Sequence, residues 1–174
     1  MKSIDSILFK GCAGGEARRG GLVRRVGWRE WGRLPELGIR RLKTKIDTGA
    51  RACALHAEEY KLKSTPDGDV IHFKLKPKSK WRQASCIGYR TIKDTGGKVT
   101  ERPVIRTILE LGGEKFEAEI CLVNRSAMRH RLIIGRQVIG GRFIVDASRT
   151  FLHPIPSLAA NKIRSVKDQE LVKR

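Results

Sequence analysis

RLIIGRQVIGGRFIV, residues 131–145, packs a rare succession of signals into a short span. Ile133 and Ile134 form an apolar run too short for a helix, and the run stops at Gly135. Arg136–Ile139 then reads as one turn of helix, Gly140 and Gly141 break it, and residues 141–148 alternate as a strand.

Outward from this stretch the pattern is β almost throughout. Residues 21–31, 40–47, 69–76, 84–93, 98–111, 111–124 and 130–135 all read as strands. In 40–47, Leu42, Thr44 and Ile46 share one face and Arg41, Lys43 and Lys45 the other; Ile71, Phe73 and Leu75 mark the inner face of the third run. Phe116, Ala118, Ile120 and Leu122 do the same in 111–124. TPDGD (65–69) and Gly112-Gly113 are turn chemistry. Besides 136–139, only the tail beyond Pro156 has helical spacing. The expectation is an all-β domain, a small closed barrel with one short helix, over residues 21–152. Residues 1–20 read as a mobile N-terminal leader and 153–174 as a tail or short helix.

The tripeptide Asp-Thr-Gly occurs twice, in KIDTGAR (45–51) and IKDTGGK (92–98). The second copy, between strand-like runs and flanked by lysines, reads as a hairpin tip with a solvated carboxylate. The first ends an alternating strand and runs into Ala50, Ala52, Cys53, Ala54 and Leu55. Asp47 is therefore held where the chain re-enters the core, Thr48 can hydrogen-bond its surroundings, and Gly49 permits close backbone approach. A strand-end turn with Asp47 bonding local N–H groups explains this copy equally well.

Composition excludes several classes. Hydrophobic residues make up 40%, enough for a packed core, and no apolar run approaches a membrane span. Ile7–Phe9 is too short for a secretory signal, so a cytoplasmic protein is expected. The four cysteines and four histidines are dispersed, without a C-x-x-C or H-E-x-x-H motif; buried free thiols and no cofactor are expected. Lys+Arg 37 against Asp+Glu 18 gives a net charge of +19, a field that attracts polyanions: nucleic acid, a ribosome surface or an acidic peptide.

KIDTGA followed, about ninety residues on, by LIIGRQVI resembles the retropepsin-like aspartic proteases. The strings KIDTGARACALHA, RPVIRT, LVNR and LIIGRQVIGGRFIVD are similar to a bacterial branch often labelled ATP-dependent zinc protease. Nothing in these residues supports the zinc; a metal set from His56, Glu58 and Glu59 is the sole candidate, and surface or core polar roles suit them better. The resemblance implies Asp47, Thr48 and Gly49 at the catalytic loop. It also implies a crossing of that loop with Ile133, Ile134 and Gly135, and Ala50, Arg51 and Arg136 near substrate. Aspartic proteases need two carboxylates sharing a proton, and this chain offers one, so the resemblance implies a homodimer with Asp47 from each copy. The hairpin at 94–98 lies where a flap belongs, with 65–69 a competing loop.

One departure stands out. Retroviral members often pair an acid after Asp-Thr-Gly-Ala with the arginine after the glycine; here the two positions are Arg51 and Arg136. Either these lie apart or an acid fills the gap, and a substrate acid is one candidate. The branch is associated with ligases that add glutamates to a ribosomal protein, which suggests poly-glutamate tails as substrate. The rival readings are a basic β-barrel module that binds RNA or ribosome through Trp28, Trp31 and Trp81, and an inactive protease fold.

Overall fold

The computed structural model describes residues 23–93 and 96–154. Ten strands follow in chain order: β1 (Arg24–Leu34), β2 (Ile39–Ile46), β3 (Cys53–His56), β4 (Glu59–Thr65), β5 (Gly68–Lys74), β6 (Arg82–Lys93), β7 (Val99–Leu111), β8 (Glu114–Val123), β9 (Leu132–Ile134) and β10 (Phe143–Thr150). Among the described residues the helical pieces are a 3-10 turn at Pro35–Leu37 and α1 (Arg136–Ile139). The expected leader, the tail from residue 155 on and the first two residues of the Asp94 hairpin tip lie outside the described residues.

The strands are ordered β10-β1-β2-β9-β3-β8-β7-β6-β5-β4. A further pairing of β1 with β7, at Arg33 and Glu110, closes β1, β2, β9, β3, β8 and β7 into a ring. The same two residues form an ion pair at 2.7 Å, so the closing bridge is held by side chains as well as backbone. The class is all-β, as the alternation indicates. Alternation also sets the register: Thr44 and Ile46 are buried on β2, and Ile71 and Phe73 on β5. Leu34, Leu55, Ile105, Leu109, Ile120, Leu122, Leu132 and Ile134 fill the interior. Each contributes about 1.5–3 kcal/mol by leaving water.

Two strands escape the sequence reading. In β3 all four residues are buried, so there is no alternation to see. β4 is exposed along nearly its whole length and pairs only with β5, as the outer edge of the sheet. β1 runs on to Leu34 and ends, as expected, at Pro35, which forces the turn.

The end of the described chain is pinned to β1 by a buried carboxylate. Glu30 is fully buried and accepts hydrogen bonds from the N–H groups of Gly27 (2.8 Å), Leu152 (2.9 Å) and His153 (3.4 Å). Three backbone donors offset the desolvation that an isolated buried charge would suffer. No helix among the described residues is long and apolar enough to cross a membrane.

Candidate active site

β9 is three residues long, and its position organises everything around it. It pairs parallel with β2 on one side, Ile46 opposite Ile134, and antiparallel with β3 on the other, Ala54 opposite Ile133. The loop 47–52 joins β2 to β3, so β9 is inserted between the two arms of that loop. Asp47 N donates to Ile134 O at 2.8 Å. Past Gly135 the chain turns under the loop, where Arg136 N donates to Ala50 O (2.9 Å) and Gln137 N to Arg51 O (3.1 Å). A Cβ on Gly135 would stand 2.6 Å from the carbonyl oxygens of both Arg51 and Ala52. The close approach of two backbones anticipated at this glycine is therefore a structural fact.

Asp47 is partly buried, with 23% of its side chain exposed. Its Oδ1 accepts from Gly49 N (3.2 Å) and Ala50 N (3.3 Å), and its Oδ2 from Lys45 Nζ (2.9 Å). Burial pushes its pKa up, but the Lys45 ammonium and the two backbone N–H groups together outweigh burial and hold the carboxyl below its ordinary value. Thr48 and Gly49 are exposed at the loop tip. Their carbonyl oxygens both accept from Arg136 Nη1, each at 2.8 Å. One nitrogen of Arg136 is thus committed to the loop, where its charge rests on two backbone carbonyls that carry partial negative charge. Arg51 is exposed, Ala50 half-buried, and Ile133, Ile134 and Gly135 are buried beneath the loop.

The structure adds residues that the motifs did not reveal. Lys45 was assigned to the solvent face of its strand, and it lies there, but two residues from Asp47 in an extended chain it shares that residue's side of the sheet. That spacing was a usable signal. Arg125, in the segment after β8, is close enough for its charge to interact with that of Asp47, with Arg102 of β7 near it. His130 sits among Arg129, Arg29, Lys45 and Arg125; burial first, and then these cations, push its pKa below the usual histidine value. Arg90 of β6 donates to Gln137 Oε1 (3.0 Å) and Glu119 Oε2 (3.0 Å), tying the β6–β7 hairpin to α1. Arg125 ends the string LVNR, but nothing in the sequence pattern marks its approach to Asp47 or the ties of Arg90, because their partners are far along the chain.

The remaining candidates have other occupations. His56 Nδ1 accepts from Arg125 N at 2.9 Å, and Glu59 pairs with Lys74 at 2.7 Å. His56 Nε2 faces Glu58 Oε2 at 3.3 Å, outside good hydrogen-bond geometry. These three residues do not converge on a common point, and among the described residues no group of three or more His, Cys, Asp or Glu side chains could hold a metal ion. Cys53 is buried, its thiol pushed up to about 11 by desolvation, and it accepts from Gly135 N at 3.4 Å. It has no nucleophilic character at neutral pH. Each tryptophan has a cation at its ring: Arg41 lies 3.8 Å from the centre of Trp31, Arg29 4.2 Å from that of Trp28, and Lys74 4.4 Å from that of Trp81, which remains exposed.

Comparison with known proteins agrees with this geometry. A solved structure of a Legionella pneumophila protein of unknown function superposes with a TM-score of 0.64 at 24% identity, covering 74% of this chain and 97% of the other. Curated relatives named probable alpha-L-glutamate ligase include one from Shewanella halifaxensis, 31% identical over 132 residues, or 72% of this chain and 29% of the ligase. Another, from Parasynechococcus marenigrum, is 34% identical over 127 residues, or 70% of this chain and 27% of the ligase. The chain therefore spans less than a third of the relatives it matches. The profile described as retropepsin-like aspartic endopeptidase RimB matches residues 25–156. The chain belongs to the RimB-like family of retropepsin-like aspartic endopeptidases.

Proposed function

We propose that this chain supplies half of an aspartic endopeptidase site, completed by Asp47 of a second copy across a two-fold axis. The observation that carries this is the setting of Asp47. It sits on a loop fixed from below by β9 and from the side by Arg136, while Thr48 and Gly49 face outward at its tip. A rigid, partly desolvated carboxylate next to an exposed tip suits pairing with its own symmetry mate. In the pair, one carboxylate activates water and the other, protonated, donates to the scissile amide. Thr48 braces the paired loops, Gly49 offers backbone to the substrate, and the β6–β7 hairpin serves as flap, anchored at its base by Arg90 and Gln137.

The proposed substrate is a glutamate-rich peptide. Lys45, Arg125 and Arg136 surround the loop, the chain carries +19, and relatives that share this segment are named for glutamate ligation. Asp47→Asn tests the reading: hydrolysis of oligo-glutamate peptides should fall by roughly 10²–10⁴-fold or more, with the protein still folded and dimeric by sedimentation. Full activity in this variant, or a monomer that still turns over, overturns it. A non-catalytic polyanion module would keep its binding in Asp47→Asn.

A further inference from the structure

Lys45 is placed to do more than neutralise Asp47. Its Nζ lies 2.9 Å from Oδ2, while Oδ1 is taken by Gly49 and Ala50, so the empty protomer holds the carboxylate fully engaged. The charged groups around it are cations: Lys45 on β2, Arg51 in the loop, Arg136 on α1, and Arg125 after β8 with Arg102 of β7 near it, while His130 ahead of β9 is pushed toward its neutral form by burial and by Arg129, Arg29, Lys45 and Arg125. Two carboxylates held ionised in this way lack the proton that one of them must give to the leaving amine. Yet the lysine side chain is 42% exposed, and its four-carbon stem lets the ammonium move. A scissile carbonyl must lie within about 3 Å of the dyad, so the side chains flanking it fall within reach of Nζ.

Resting on the reading above, we propose that Lys45 is a charge-operated latch. It clamps Asp47 in the empty site, and an acidic side chain beside the scissile bond draws it off, freeing the carboxylate pair to share a proton. Lys45 keeps its three protons and exchanges one carboxylate partner for another. The proton is taken up from bulk solvent, supplied by hydronium or buffer acid, and the pair passes from two negative charges to one. Acidity of the substrate then acts on kcat and not only on KM, which sets Lys45 apart from cations that merely attract the peptide.

The test is carboxyl ¹³C NMR of aspartate-labelled full chain, with the Asp47 resonance assigned by its loss in Asp47→Asn. The probe is penta-glutamate with N-methylated, hydrolysis-resistant amides, against the matching penta-glutamine. The Asp47 titration should move to higher pH in Lys45→Met and in wild type with penta-glutamate. It should stay put with penta-glutamine, and penta-glutamate should add no further shift in Lys45→Met. With cleavable peptides, the kcat preference for glutamate over glutamine should fall at least tenfold in Lys45→Met. An Asp47 titration unmoved by penta-glutamate overturns the latch, as does an undiminished kcat preference in the variant. The NMR arm needs no turnover, so a chain that hydrolyses nothing sinks the peptidase reading while the titration still decides the latch.

Discussion

Gly135 illustrates how one missing side chain can carry a site. The 2.6 Å that a Cβ would leave to two carbonyl oxygens is well inside any tolerable contact, and both oxygens belong to backbone that cannot swing away. Gly135→Ala must therefore push β9 and the Asp47 loop apart. The expected cost is roughly 3 kcal/mol, read as a lower denaturant midpoint, with faster amide exchange at Asp47, whose N–H is bonded to Ile134 O. Gly88, at the break of register within β6, behaves differently: nothing lies within 4 Å of an added Cβ, and there only the φ of 128° resists substitution.

Among the elements, β3 and the segment between β8 and β9 act as one unit through His56. This residue is fully buried, its N–H donates to Arg131 O (2.7 Å), and its ring accepts from Arg125 N. That acceptor role requires the neutral ring. Burial, and next the Arg131 charge, hold its pKa below the usual histidine value, and His130 in the same segment is shifted the same way. The unfolded chain therefore binds these protons more readily than the folded one. Their contribution to stability is complete above the unfolded value of about 6.5 and is lost as pH falls from there toward the folded values. Thermal unfolding followed between pH 7.5 and 5 (roughly the range over which histidine titrates) should show a falling melting temperature. A His130→Gln variant should show a shallower fall, and a slope equal to wild type would remove His130 from this account. Because the same segment carries Arg125 toward Asp47, mild acid should loosen the site before the rest of the ring.

At the scale of the whole molecule, the net charge bears on stability and, for the proposed acidic substrate, on recognition, with opposite dependence on salt. A net +19 on 174 residues repels itself in the folded state. Raising salt from about 0.01 M to about 0.15 M shortens the Debye length from ~30 Å to ~8 Å. The melting temperature should rise over that interval, while KM for an acidic peptide should rise too as the attraction is screened. A KM unaffected by salt would mean that the surface field takes no part in recognition. The closing pair Arg33–Glu110 is less exposed than most surface pairs, 19% and 23%, and should be less sensitive to the same change.

Local chemistry was enough to specify the class of fold and the position of its critical loop. Alternation with period two marks one buried face, so β2, β5 and β8 could be read directly; an apolar run broken by glycine and followed by one helical turn identified β9 and α1 to within a residue or two. Alternation carries no information where both faces are buried or both are wet, which is why β3 and β4 were invisible. The chain also names Asp47, but not its company. Lys45 was legible in principle from its two-residue spacing. The carbonyl clamp of Arg136 on Thr48 and the tie of Arg90 to Gln137 join residues 88 and 47 positions apart, and Arg125 likewise approaches Asp47 from far along the chain. Those contacts exist only because β9 threads between β2 and β3 and the ring closes at β1 and β7. Sequence set which groups were available; the threading of the chain set their distances, and it is distance that turns a carboxylate at the end of a strand into a tuned one.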